Sequence, residues 1–175
     1  TVGGLQLVSS APGAEVHQRI LTPGIYTLGN DSALFTATPV FAEISKAGGA
    51  AKATVEITAN ATFVSQVQAG LNDQLKKCAT QQVLLPTGCP FGKEINDRIE
   101  GTPAWSIVRN PTVTIVPGAT PGSWQVPQTH GTAHLVVQVR SIFDGSVKTL
   151  NEDVPFDGSY SITFKANGQL VITSQ

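Results

Sequence analysis

The sequence predicts an α+β protein, with a small N-terminal β module followed by one long helix packed on an antiparallel meander of four or five strands. Three patterns indicate this class. Apolar residues recur at helical spacing between residues 60 and 78, apolar and polar residues alternate over much of residues 104–173, and turn residues separate short apolar runs before residue 58. A helix followed by a run of antiparallel strands is the order expected of an α+β domain.

In the first 58 residues, turn residues separate short apolar runs, which is typical of a small β module. Residues 5–8 and 25–28 favour strands, and the Pro-Gly pairs at 12–13 and 23–24 favour turns. Residues 53–58 alternate between apolar and polar side chains, which favours a further strand. We therefore predict a β-sandwich-like module at residues 1–58 and a separate α+β domain at residues 59–175.

One amphipathic helix is predicted to open the second domain. Asn60 is suited to cap its N-terminus, and Lys76 and Lys77 lie in its last turn, where the helix dipole favours positive charge. The apolar positions share one helical face, which Phe63 widens: Val64, Val67, Leu71, Leu75 and Cys78. Such a face needs a partner surface, and the strands that follow are the nearest candidate.

The strands of the second domain are predicted from alternation and turn residues. Residues 104–108 and 112–116 favour a strand interrupted by Pro111, which predicts a bulge or an edge position because proline cannot donate to the ladder. Residues 132–143 favour the longest strand, and Asp144-Gly145 favours a type I′ hairpin turn before residues 147–154.

The tetrapeptide Phe-Asp-Gly-Ser occurs twice, at residues 143–146 and 156–159. We interpret both copies as turns, because Asp and Gly are typical of turn positions. Strands at residues 160–164 and 170–173 then complete the predicted meander.

Composition argues against several classes of partner. Only 13% of residues are charged, the net charge is -1, and the eleven basic residues are scattered, so nucleic acid is not an expected partner. No run approaches the roughly 18 apolar residues of a membrane span, so we expect membrane contact only through an anchor upstream of Thr1. The chain contains no Met, which suits a mature or excised portion of a longer protein.

The two cysteines, Cys78 and Cys89, could form a redox pair, half of a metal site, or a structural disulfide. The three histidines lack the spacing of zinc ligands, and Cys78 lies at a helix end, where the dipole disfavours a thiolate. We therefore predict a disulfide and an oxidising, extracytoplasmic location, with no metal and no cofactor. A cysteine nucleophile with His130 or His134 as its base is the functional alternative.

Four residues are candidates for ligand binding. His134, Gln138 and Arg140 share the polar face of the longest predicted strand, where a curved sheet can form a pocket. The structural alternative is a solvated outer face, which antiparallel sheets commonly have. Trp124 follows a Pro-Gly-Ser turn and is a candidate exposed aromatic, with packing as its alternative, whereas Trp105 lies in an apolar strand and is assigned to the core.

Several segments resemble the extracytoplasmic region of uncharacterised actinobacterial membrane proteins that have a single span. The resemblance covers roughly residues 20–175 and is most specific at Thr-Gly-Cys-Pro-Phe-Gly, residues 87–92; residues 71–81, 105–108, 130–135 and 153–156 are similar too. It implies an exported region preceded by a membrane span and a cytoplasmic part, and it implies no activity. The layout of a helix on a bent sheet also resembles nuclear-transport-factor-like and cystatin-like folds, an analogy that does not decide function.

These observations predict a non-catalytic extracytoplasmic envelope domain that binds a cell-wall component or a partner protein. The alternative is a small-molecule-binding or hydrolytic pocket on the polar sheet face, although no nucleophile elbow of the Gly-x-Ser-x-Gly type is present. A cystatin-type inhibitor ranks third, because Gln66-Val67-Gln68-Ala69-Gly70 matches its motif only in part and lies in the predicted helix. No feature of the sequence indicates an oligomeric state.

Overall fold

The computed structural model describes residues 14–30, 32–165 and 167–175. The strand predicted at residues 5–8 and the turn at 11–13 lie outside these residues. The described elements are the helix α1 (Ala61–Ala79) and the strands β1 (Gly24–Leu28), β2 (Phe35–Ala37), β3 (Val40–Ile44), β4 (Ile57–Ala59), β5 (Arg98–Ile99), β6 (Ala104–Arg109), β7 (Val116–Pro117), β8 (Trp124–Arg140), β9 (Val147–Phe164) and β10 (Leu170–Ser174).

The helix forms as predicted. Asn60 is its N-cap, and the Asn60 side chain accepts a hydrogen bond from the backbone N–H of Phe63 at 3.0 Å. Lys76 and Lys77 occupy the last turn. The buried face consists of Phe63, Val67, Leu71, Leu75 and Cys78. The predicted face is therefore confirmed, including Phe63, and Val64 is only partly buried.

The main sheet is antiparallel and has six strands among the described residues. Strands β8 and β9 form one long hairpin, β10 pairs with the far side of β9, and the short strands β5, β6 and β7 pair along β8. The break predicted near Pro111 is confirmed, because the register of β6 on β8 shifts between Ile107 and Arg109 and the strand ends there. The strand predicted at residues 112–116 is wrong, because residues 112–115 lie outside any strand and β7 begins at Val116. The sheet exceeds the predicted four or five strands because three separate short segments share one long partner.

Three predicted boundaries in the long hairpin are wrong. The strand expected to begin at residue 132 begins at Trp124 and ends at Arg140, so residues 141–146 form a six-residue loop rather than a two-residue type I′ turn. The second Phe-Asp-Gly-Ser copy is not a turn, because residues 156–159 lie inside the continuous strand β9. The pairing with β8 runs through this copy, with Asp157 opposite His130 and Gly158 opposite Thr129.

The core lies between α1 and the inner face of the sheet. Alternate residues of β8 point toward the helix and are buried, including Leu135, Val137 and Val139. The helix contacts β6 on one side and β10 on the other. The segment between β6 and β7 is held by the Gln68 side chain, which donates to the Pro111 carbonyl and accepts from the backbone N–H of Val113.

The N-terminal region contains two small antiparallel strand pairs, β1–β3 and β2–β4. With one helix on an antiparallel sheet, these pairs confirm the α+β class. Strand β4 spans the domain boundary predicted at residues 58/59, and that boundary stays a prediction.

Candidate functional site

The disulfide between Cys78 and Cys89 is formed, with Cα atoms 5.8 Å apart. It links the last turn of α1 to the loop that follows. Within this loop the Gln81 side chain donates to the Thr87 carbonyl and accepts from the Thr87 backbone N–H. The Trp105 indole donates to the Val83 carbonyl at 2.8 Å, so the cystine is a structural link between helix, loop and sheet.

The polar sheet face lies on the solvent side of β8, as the alternation predicted. Along a strand, residues 134 and 140 are separated by about 20 Å. His134 lies beside Asp153 of β9, with 2.6 Å between His134 Nδ1 and Asp153 Oδ1. Gln138 lies opposite Thr149 and is exposed.

Arg140, at the C-terminal end of β8, makes two hydrogen bonds. Its guanidinium donates to the Glu100 carboxylate and, at 3.0 Å, to the Gly145 carbonyl. The hydrogen bond from Arg140 lowers the pKa of Glu100, and the same contact raises the pKa of Arg140. The structure therefore places the three predicted residues on one face and does not bring them together.

A second cross-strand pair lies near the middle of the hairpin. His130 Nδ1 is within hydrogen-bond distance of Asp157 Oδ1, and this contact lowers the pKa of Asp157. Both side chains are more than half exposed. Among the described residues, no three His, Cys, Asp or Glu side chains are grouped so that they can hold a metal ion.

An open apolar groove lies at the opposite end of the hairpin, where β8 begins and β9 ends. Its volume is about 590 Å³, and it is lined by residues 117–123 together with Phe35, Ile57, Trp124 and Phe164. None of these lining residues is charged, and only Thr120 and Ser123 carry a polar side chain. Trp124 was a candidate exposed aromatic with packing as its alternative; it is 8% exposed, so it is packed in the core, and it lines the groove.

The aromatic part of the lining, Phe35, Trp124 and Phe164, forms the floor of the groove, and the fully buried Phe63 packs against it. The Phe35 ring stacks on Trp124 with centroids 5.1 Å apart and an interplanar angle of 16°. Phe164 and Phe63 meet Phe35 at steep angles of 75° and 76°. Offset stacking and edge contacts of this kind are the favoured aromatic arrangements, so the floor is a packed and stable surface.

The loop that forms one wall is fixed by its own hydrogen bonds. The Ser123 hydroxyl donates to the Thr120 carbonyl at 2.7 Å and accepts from the Thr120 backbone N–H at 3.2 Å. The Gly118 N–H donates to the Ser123 carbonyl at 2.9 Å. The wall is therefore preformed.

The sequence indicated only one residue of this groove. Ile57 and Phe164 were placed in strands, with no signal that they meet each other or Phe35, because their contacts depend on pairings between distant segments. A turn-rich stretch followed by Trp124 was the one usable signal.

His134, Gln138 and Arg140 line neither this groove nor a smaller cavity of about 280 Å³ beside β2 and β4. Within the described ranges, no helix has both the length and the apolar character needed to cross a membrane. Comparison of the chain with protein-family models, with characterised proteins and with solved structures gave no match.

Proposed function

We propose that this protein is a non-catalytic extracytoplasmic envelope module that binds a partner protein by receiving an apolar side chain in the groove at Trp124. The observation that carries the proposal is the composition of the groove, which is preformed, aromatic at its floor and without a charged lining residue. Burial of apolar surface supplies the binding free energy at such a site, at roughly 25 cal/mol per Å².

Two further observations support this assignment. The Cys78–Cys89 disulfide is consistent with an oxidising compartment outside the cytoplasm. The polar sheet face has its titratable groups in separate side-chain pairs, His134 with Asp153 and Arg140 with Glu100, rather than converging on one point. A hydrolytic or small-molecule site needs such convergence, so the groove is the better candidate.

The test is a charge placed at the mouth of the groove. Ile57 lines the groove and is 41% exposed, so Ile57→Glu adds a carboxylate there without emptying the core. Ile25→Glu is the matched control, because Ile25 is also an exposed isoleucine in a two-stranded sheet and does not line the groove. The probe is 1-anilinonaphthalene-8-sulfonate, followed by fluorescence titration.

We expect Ile57→Glu to weaken probe binding by about tenfold or more, which corresponds to about 1.4 kcal/mol, and Ile25→Glu to leave it unchanged. Equal binding by all three proteins would contradict the proposal. Cosedimentation with purified peptidoglycan tests the rival ligand: binding that Ile57→Glu abolishes would replace the protein partner with a cell-wall component.

A further inference from the structure

Three polar residues lie in one row across three neighbouring strands of the main sheet. Ser106 of β6 lies directly opposite His134 of β8, and His134 lies directly opposite Asp153 of β9. Residues opposite each other on antiparallel strands share a face and have Cβ atoms about 4.5–5.5 Å apart. The sheet therefore aligns a hydroxyl, an imidazole and a carboxylate, in that order, on its solvent side.

The Asp153 carboxylate decides which nitrogen of His134 carries the hydrogen. His134 Nδ1 lies 2.6 Å from Asp153 Oδ1. Because an ionised carboxylate can only accept, Nδ1 donates, and Nε2 of the neutral ring keeps its lone pair. The two ring nitrogens point in divergent directions, so this lone pair is directed away from Asp153. His134 is thus oriented by one neighbour and has one nitrogen left to act as a base.

The hydroxyl of Ser106 is available to that base. Strands β6 and β9 flank β8 on opposite sides, so the side of His134 that faces away from Asp153 is the side of Ser106. Ser106 is exposed, and among the described residues its hydroxyl makes no hydrogen bond. It is therefore free to rotate between its staggered positions, and no competing acceptor holds it away from His134. A hydroxyl beside an oriented imidazole is the arrangement that activates this weak nucleophile.

Arg109 adds a positive charge beside this row. It lies opposite Thr132, the next residue after His134 on the same face of β8. Its guanidinium is exposed and has no ion pair or hydrogen bond within the described part of the chain. Diagonal neighbours on a sheet are roughly 7–8 Å apart, which a long side chain can span. Arg109 can therefore stabilise negative charge that develops on an oxygen next to Ser106.

We propose that Ser106 is an acylation site that reacts with activated carboxylic esters. The Ser106 oxygen attacks the acyl carbon of the ester, and its proton passes to His134 Nε2. The bond from the acyl carbon to the leaving oxygen then breaks, and the proton on His134 passes to that oxygen. The products are O-acyl Ser106 and the free alcohol or phenol. Asp153 is a positioning residue, since it acts through His134.

The reaction modifies the chain rather than turning over a substrate. Neither the groove nor the smaller cavity includes Ser106, so neither holds an ester in place for repeated reaction. The alkyl ester formed on Ser106 is also less reactive than the activated ester that formed it, because an alkoxide is a poorer leaving group than a phenolate. The acyl group therefore accumulates. This inference goes beyond the proposed function and does not depend on the groove.

The experiment treats the whole chain with p-nitrophenyl acetate and locates the acetyl group by tandem mass spectrometry over time. Acetylation of the exposed Lys46 in the same samples is the internal reference. Ser106→Ala removes the nucleophile, and His134→Gln removes the base. His130→Gln is the matched control, because His130 pairs with Asp157 in the same way but has no residue opposite it on β6 or β7. Far-UV circular dichroism shows that each variant is folded.

We expect the wild type and His130→Gln to be acetylated at Ser106 at the same rate. His134→Gln should slow this reaction by about a hundredfold, the lower end of the effect of a positioned general base. Asp153→Asn should also slow it, and Asp153→Glu should restore part of the rate, which a merely structural role would not produce. Arg109→Gln should slow it by about tenfold, because an exposed cation is screened by solvent. Acetylation of Lys46 should be the same in every protein.

An unmodified Ser106 in the wild type overturns the inference, and so do equal rates of Ser106 acetylation in the wild type and His134→Gln. Equal rates in the wild type and Arg109→Gln remove Arg109 from the site. Release of p-nitrophenolate well beyond one equivalent, abolished by Ser106→Ala, would show a hydrolase and overturn both this inference and the non-catalytic assignment. If Ser106 stays unmodified while Ile57→Glu still weakens dye binding, the proposed function stands and only the acylation site is wrong.

Discussion

At the residue scale, the two Phe-Asp-Gly-Ser copies show one tetrapeptide in two conformations. In the first copy Gly145 has φ +72° and closes the loop at residues 141–146. In the second, Gly158 is not among the glycines with positive φ, and the copy continues as extended strand. The difference lies in the partners across the sheet: Phe156 lies opposite Gly131, and Asp157 lies opposite His130. Turn propensity is overridden where a neighbouring strand offers matched partners.

Replacing Gly131 by Ala tests this account. A Cβ at position 131 would lie 2.3 Å from the Phe156 ring, so the ring or the strand must shift. We expect Gly131→Ala to lower the free energy of unfolding by about 1–3 kcal/mol, measured by urea denaturation. Gly101→Ala is the control, because its Cβ would meet its nearest neighbour at an ordinary 3.5 Å. Equal effects of the two substitutions would show that the Phe156 ring does not depend on Gly131.

The second prediction concerns the buried hydroxyl of Tyr160. Tyr160 is 1% exposed, and among the described residues its Oη has no hydrogen-bond partner. Burial raises the pKa of this hydroxyl, because the charged form loses its hydration. Removing a buried and unpaired hydroxyl relieves its desolvation, so we expect Tyr160→Phe to raise the free energy of unfolding by about 1 kcal/mol. A measured decrease in urea denaturation would show that the hydroxyl has a partner in solution.

At the element scale, the helix was predictable and the sheet only in part. A helix is specified by neighbours in sequence: its cap, its apolar face and its final lysines all lie within residues 60–79. The strands β8 and β9 run farther than their local alternation indicates, because long ladders are stabilised by the partner strand. The alternation of β8 was read correctly from residue 134 to 140, and the loop beyond Arg140 was read as strand.

At this scale we predict that the disulfide stabilises both the protein and the loop after α1. The double substitution Cys78→Ala and Cys89→Ala removes the link between α1 and its loop, and we expect a loss of about 2–4 kcal/mol in the free energy of unfolding. Hydrogen exchange should increase at Thr87, whose backbone N–H is bonded to Gln81 inside the ring that the disulfide closes. Reduction of the wild type is the control and should give the same two changes. If neither the free energy of unfolding nor the hydrogen exchange at Thr87 changed, the Gln81 contacts alone would account for the ordered loop.

At the scale of the whole molecule, the N-terminal strand pair β2–β4 contributes to the core of the second half. Phe35 packs with Phe63, Trp124 and Phe164. The Asn60 cap also donates to the Ala33 carbonyl from its side chain. These contacts cross residue 58, where the sequence placed a domain boundary.

Truncation tests that boundary. We expect a chain beginning at residue 59 to be less stable than one beginning at residue 33 by at least about 2 kcal/mol, because the loss of Phe35 leaves the aromatic cluster open. Removal of residues 1–32 also removes β1, so the chain beginning at residue 33 is the reference that isolates the contribution of residues 33–58. Thermal and urea denaturation of the three proteins measure the difference. Equal stability of the two shortened chains would support two independent domains divided at 58/59.

The sequence by itself determined the features that depend on near neighbours. These are the capped amphipathic helix, the pairing of the chain's two cysteines, the alternating faces of β8, and the α+β class. These features follow from helical spacing, strand alternation and the small number of thiols. Each of these patterns can be recognised in a single segment of the sequence.

Only the tertiary structure decided the groove and the conformation of the second Phe-Asp-Gly-Ser copy. The groove joins residues 35, 57, 117–124 and 164, which meet only because the strand pairs bring distant segments together. The free energy of those contacts comes from burial against partners elsewhere in the chain.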